Sequence, residues 1–178
     1  MKSLYVSDLD GTLFNSKKNI SEFTTDILNR FIARGGLFTI ATARMAYGCD
    51  EKLKSINLNV PGIIMNGACL YAFDKKEYLD VQEIDPSKIQ EIENAFDQFG
   101  CNAYMFAYKN HGLSIYYKLD PSAQDSQYLS ERAKEECKEI KKIDRYTTAA
   151  SNRQIIYFAS TWTKVKIQSV WEKVRYIE

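Results

Sequence analysis

Asp8 and Asp10 stand two residues apart, directly after the apolar run Leu4-Tyr5-Val6 and directly before Gly11-Thr12. In an extended strand residues i and i+2 point to the same side, so both carboxylates can face one ligand. Gly11 then lets the chain leave the strand through conformations that a Cβ would forbid. Paired acids at a strand exit suit metal-assisted phosphoryl transfer. In such a centre a divalent cation offsets the repulsion between an anionic carboxylate and an anionic phosphate. The competing reading is a solvated strand end with an ordinary Asp-Gly turn.

The elements that must position these residues follow from periodicity. Residues 3–9 read as a buried strand, and Ser21 opens an amphipathic helix whose stripe is Ile20, Phe23, Ile27, Phe31 and Ile32. Gly35-Gly36 stops that helix. Leu37 to Ala41 is a second apolar strand, a helix runs through Glu51-Lys52-Leu53-Lys54, and Ile63-Ile64-Met65 is a third strand. Near-continuous apolar strands alternating with helices predict a parallel sheet covered on both faces, with ligands bound outside the carboxyl ends of the strands. Asp8, Thr42 and Asn66 each fall at such an end.

Past Asn66-Gly67 the pattern changes. Ala68 to Phe73 and Tyr78 to Glu83 read as a hairpin, and Asp85-Pro86 opens a helix that ends at Gly100. Asn102 to Tyr108 and Leu113 to Lys118 read as strands around Asn110-His111-Gly112, with His111 as a surface loop residue. A charged helix is expected from Asp120-Pro121 to about Lys141, then a strand at Ile155 to Ala159 and a helix at Val165 to Val174. The aromatics Tyr104, Phe106, Tyr108, Tyr116 and Tyr117 read as core. Two domains are expected, residues 1–82 and residues 83–178.

With 178 residues, 24 basic and 23 acidic side chains and a net charge of +1, the chain has no basic field of the kind nucleic-acid binders use. Cys49, Cys69, Cys101 and Cys137 form no C-x-x-C pair and read as reduced thiols of a cytoplasmic protein. No run approaches membrane-spanning length, and the apolar stretch before Asp8 is too short for a secretory segment.

The segment Asp8-Leu9-Asp10-Gly11-Thr12 resembles the first motif of the haloacid dehalogenase superfamily, and the chain is similar to its Cof-type branch. The resemblance implies a Rossmann-like α/β core with an α+β cap of the C2 type. It implies that Asp8 is the nucleophile, Asp10 the general acid/base, and Mg²⁺ a cofactor held by the Asp8 carboxylate and the Asp10 backbone carbonyl. Thr42 of Thr42-Ala43-Arg44 resembles the second motif, in which a hydroxyl and backbone N–H groups entering a helix bind phosphate. Ala43 stands where the branch usually has Gly. Arg44 would contact phosphate, brace the second domain, or form a surface ion pair. Asn66-Gly67-Ala68 matches a further signature lining the site, and Asn-Gly also serves a turn that needs positive φ.

Together these point to a phosphatase of small phosphorylated metabolites such as sugar phosphates or nucleotides. The alternatives are a catalytically impaired relative that keeps phosphate binding or an interaction role, and a phosphomutase. The family's later lysine and Gly-Asp-x-x-Asn-Asp motifs are not found in this sequence, so the core is expected to be incomplete at its C-terminal end. Weak Mg²⁺ binding, impaired catalysis and self-association through an exposed edge at the first strand are the corresponding expectations.

Overall fold

The computed structural model describes residues 3–110, 112–133 and 137–177. The chain divides into two compact units, Met1–Val81 and Gln82–Glu178. His111 lies outside the described residues.

In the first unit β1 (Leu4–Ser7) and β2 (Leu37–Ile40) pair in parallel, with Ser7 opposite Ile40. A single parallel bridge from Ala41 to Ile63 carries the order on to β3 (Gly62–Ile64). β3 continues antiparallel into β4 (Cys69–Ala72) and β5 (Glu77–Val81). Helix α1 (Glu22–Ala33) connects β1 to β2, with the Ser21 side chain accepting from the Thr24 N–H at its start and Gly35 at φ +85° beyond its end. Helix α2 (Ala46–Leu53) connects β2 to β3.

The expectation of a buried first strand is not met. β1 covers only four residues, pairs with β2 alone among the described residues, and leaves Leu4, Tyr5 and Val6 about half exposed at 49, 57 and 47%. A strand is buried only when both faces and both edges are covered, and here Tyr5 merely meets Phe31 of α1 edge-to-face at 5.3 Å. No residue of α1 is buried either, and Phe23 of its apolar stripe is 76% exposed. The unit's packed interior lies instead around β2, α2 and β3, where Ile40, Met45, Cys49, Leu53 and Ile64 are buried.

The second unit is built on a four-stranded sheet whose strands lie in the order Cys137–Lys142, Gly112–Tyr117, Tyr104–Lys109 and Gln154–Ala159. Asp85 caps the turn Pro86–Lys88 through the Ser87 N–H, which leads into α3 (Ile89–Phe99), closed by Gly100 at φ +58°. β6 (Tyr104–Lys109) and β7 (Gly112–Tyr117) form a hairpin, and β9 (Gln154–Ala159) flanks β6 antiparallel. Helix α4 (Ala123–Ala133) leads to β8 (Cys137–Lys142), which pairs in parallel with β7. Residues 137–142 are thus a strand rather than the end of a long charged helix. Pairing with β7 overrides the helix preference of Lys and Glu, and charge suits an edge strand. A short helix absent from the sequence reading, α5 (Tyr146–Ala150), precedes β9, and α6 (Lys164–Val174) follows it. Ile89, Ile92, Phe96, Met105, Tyr116, Tyr146, Ile155 and Val170 make one core. Of the expected core aromatics, Tyr104, Phe106 and Tyr116 are buried, while Tyr108 and Tyr117 are partly so.

Candidate active site

Parallel pairing brings the ends of β1 and β2 level, and the Ala41 N–H still donates to the Ser7 carbonyl at 2.9 Å one residue beyond the ladder. Asp8 and Thr42 therefore leave neighbouring strands on the same edge of the sheet. Asp8 is extended at φ −72°, ψ 162°, and its Oδ1 accepts from the Leu9 N–H at 2.7 Å. Residues Leu9–Leu13 form one wide turn, closed by Leu13 N–H to Asp8 C=O at 3.3 Å and Phe14 N–H to Leu9 C=O at 2.8 Å. Gly11 at φ +78° makes that turn feasible, and Leu9 and Phe14 anchor it in the interior. Asp8 and Asp10 both stay exposed.

Asp10 is gripped by Arg44, with Nε on Oδ2 at 2.7 Å and Nη2 on Oδ1 at 2.8 Å. These hydrogen bonds from Arg44 hold the Asp10 carboxyl below its ordinary value, outweighing partial burial, with the charges of Arg44 and Lys18 acting in the same direction. The guanidinium also lies over the Phe14 ring, 5.3 Å from its centroid. Two positions of the expected constellation, Asp10 and Arg44, are thus joined directly, with the Phe14 ring beneath the guanidinium.

Thr42 is buried, and its Oγ1 accepts the Arg44 N–H at 3.3 Å. It does not cap α2, which begins four residues later behind Met45 with no side-chain cap. The hydroxyl closes a local turn instead and keeps its own proton to donate. Ala43 is exposed and has no positive φ, so this backbone does not require glycine there. β3 ends at Ile64. Met65 is not its last residue but the first of a turn in which the Met65 N–H reaches the Arg44 carbonyl at 3.0 Å and the Asn66 N–H reaches the Thr42 carbonyl at 3.2 Å.

Phe14 and Met65 escaped the sequence reading. Phe14 follows Leu13 and looks like ordinary core, while Met65 continues the apolar run of β3, so neither carries a local signal of its place beside the site.

Among the described residues no group of three or more His, Cys, Asp or Glu side chains gathers into a metal cage. The hard oxygens of exposed Asp8 suit a Mg²⁺ that keeps most of its waters. The thiols belong to the packing: Cys49, Cys69 and Cys101 are buried, and burial pushes Cys69 up to about 11. No described helix is long and apolar enough to cross a membrane.

A mixed α/β chain with paired aspartates at the exit of a parallel strand and a hydroxyl at the next strand's exit defines a class of hydrolase-like folds. The chain belongs to the haloacid dehalogenase-like hydrolase family, whose sequence profile matches residues 5–174. A provisionally named phosphatase of Buchnera aphidicola is 38% identical over 76 residues, which cover 43% of this chain and 28% of that protein. Among solved structures, a haloalkanoate dehalogenase superfamily phosphatase from Bacteroides thetaiotaomicron superposes with a TM-score of 0.73 at 17% identity, over 97% of this chain and 60% of the other. A subclass IIB sugar phosphatase of the same superfamily gives 0.71 at 22% identity, over 100% of this chain and 65% of the other. The chain therefore spans less than two thirds of the length of these relatives.

Proposed function

We propose that this chain carries the nucleophile half of a Mg²⁺-dependent phosphatase of small phosphorylated metabolites, sugar phosphates or nucleotides, acting in the cytoplasm. The observation that carries the reading is the Asp8–Asp10 pair at the end of β1, with Asp10 held by an arginine two residues beyond Thr42 at the end of β2. The sugar phosphatase among the structural relatives supports the substrate class.

In this reading an Asp8 oxygen attacks phosphorus, the bond to the leaving alkoxide breaks, and Asp10 supplies the alkoxide with a proton, which its carboxyl, held low by Arg44, takes up as substrate draws the guanidinium toward the phosphoryl oxygens. Asp10 then takes a proton from water as that water attacks the aspartyl-phosphate, and the phosphorus bond to Asp8 breaks to release phosphate. Gly11 shapes the turn that presents both acids. Thr42, Ala43 and Arg44 bind the phosphoryl oxygens through a hydroxyl, an N–H and a guanidinium, and Asn66 lines the same edge. The Asp8 carboxylate and the Asp10 carbonyl would hold Mg²⁺, which when bound supplies charge compensation. Residues 1–82 serve as core, and residues 83–178 as a cap that excludes water and selects the substrate.

Hydrolysis of an aryl phosphate with Mg²⁺ tests this. Asp8→Asn should slow turnover at least about a thousandfold, with little change in melting temperature, because the carboxylate is exposed. Equal rates for the two proteins would overturn the reading and favour phosphate binding without turnover.

A further inference from the structure

Beyond β3 the backbone runs left-handed for three residues in succession, with φ at +53° for Met65, +59° for Asn66 and +93° for Gly67. Glycine enters this region freely and asparagine tolerates it, but a long side chain such as Met65 is a rare occupant, because its Cβ crowds the following carbonyl oxygen. Met65 is nonetheless wholly buried, so packing holds it there. Such strain persists only where surrounding structure over-determines it.

The strain has a visible use. The N–H groups of Met65 and Asn66 are turned back onto the carbonyls of Arg44 and Thr42, the residues that present the guanidinium and the hydroxyl, and the Ala68 N–H closes the turn onto Met65 C=O at 3.2 Å. A right-handed conformation at Met65 would aim the Asn66 N–H elsewhere, and one at Asn66 would redirect the chain that leads into β4 and holds the turn in place. The Asn66 residue itself is exposed.

We propose that the left-handed turn Met65–Gly67 is a positioning device for Thr42–Arg44, and that Asn66 serves the site through its backbone rather than through its carboxamide. The catalytic consequence rests on the phosphatase reading above; the structural one does not. The test compares Asn66→Gly with Asn66→Ala in the full chain by two readouts: kcat and KM for an aryl phosphate with Mg²⁺, and hydrogen exchange of the backbone amides at positions 65 and 66.

Glycine accepts positive φ, so Asn66→Gly should preserve both amides' protection and recover most of the kcat that Asn66→Ala loses. Asn66→Ala should lower kcat about tenfold or more as Thr42 and Arg44 shift, with faster exchange at both amides. A glycine variant as damaged as the alanine one, or one that raises KM with protection intact, would assign the work to the carboxamide and overturn the proposal. If wild type and Asp8→Asn hydrolyse equally, the phosphatase reading fails while the exchange data still decide. Wild-type protection in Asn66→Ala would then show that the turn does not depend on left-handed tolerance at this position.

Discussion

Four aspartate and glutamate side chains in this molecule have opposite lives. Asp8 and Asp10 in the first unit sit exposed at a strand exit, Asp8 bonded to its neighbour's N–H and Asp10 to one arginine. Glu93 and Asp125 in the second unit are buried and ringed by donors. Glu93 accepts from Lys118 Nζ at 2.7 Å, Arg145 Nε at 3.1 Å and the Thr147 N–H at 3.4 Å. Asp125 accepts from the hydroxyls of Ser122 and Thr161. A buried charge survives only when its lone pairs are filled, and a carboxylate so filled has nothing left to offer a substrate. The buried pair therefore ties elements together, α3 to the exit of β7 and to α5 in one case and the start of α4 to the exit of β9 in the other. The exposed pair keeps oxygens open to solvent, where a cation and a phosphate can reach them.

The sharpest way to break this contrast is to remove a buried member. Glu93→Ala leaves Lys118 and Arg145 without their shared acceptor, although Lys118 retains Asp97 at 2.7 Å. Unfolding of the second unit should lose about 3 kcal/mol, read by urea denaturation. A loss below about 1 kcal/mol, the range of surface pairs, would mean that burial makes no difference here.

A smaller effect is expected at Asp125. Burial alone would raise its carboxyl, but hydrogen bonds from Thr161, Ser122 and Tyr104 outweigh it and hold the group below the ordinary 3.8. A carboxylate whose value is depressed by folding contributes stability that is complete above its unfolded value and is lost as pH falls through the folded one. Thr161→Val should therefore destabilise by about 1.5 kcal/mol at neutral pH. The gap from wild type should stay constant down to about pH 5 and narrow below about pH 4, as chemical denaturation at a series of pH values would show. A gap independent of pH would place the effect in packing.

What the sequence disclosed follows the same divide between local and long-range causes. Asp8-x-Asp10-Gly11, the Ser21 cap, Asp85-Pro86 and Gly100 announce themselves because turns and caps are made by near neighbours. The strand character of Cys137–Lys142 depends on pairing with β7, some two dozen residues away, and its charged residues read locally as helix. Met65 is held left-handed by packing and by the Arg44 carbonyl, neither of which adjoins it in sequence. The exposure of Leu4, Tyr5 and Val6 was hidden for a like reason, since an apolar run reports its composition and not what covers it. In the site, the residue types were legible while their linkage through Arg44 was not.

That linkage offers the finest test of the contrast, because Arg44–Asp10 and Lys118–Glu93 are both short ion pairs and differ chiefly in surroundings. Asp10 is 49% exposed against 0% for Glu93, so the Arg44 pair should add little to stability. Its value lies in geometry, because two parallel N–H bonds fix both the position and the plane of the carboxylate. Lysine at this position would keep the charge but lose the fork and the face that lies over Phe14. Arg44→Lys should therefore lower kcat on an aryl phosphate about tenfold while shifting stability by less than about 0.5 kcal/mol. The reverse pattern, unchanged turnover with a marked loss of stability, would make the pair a structural one like those of the second unit.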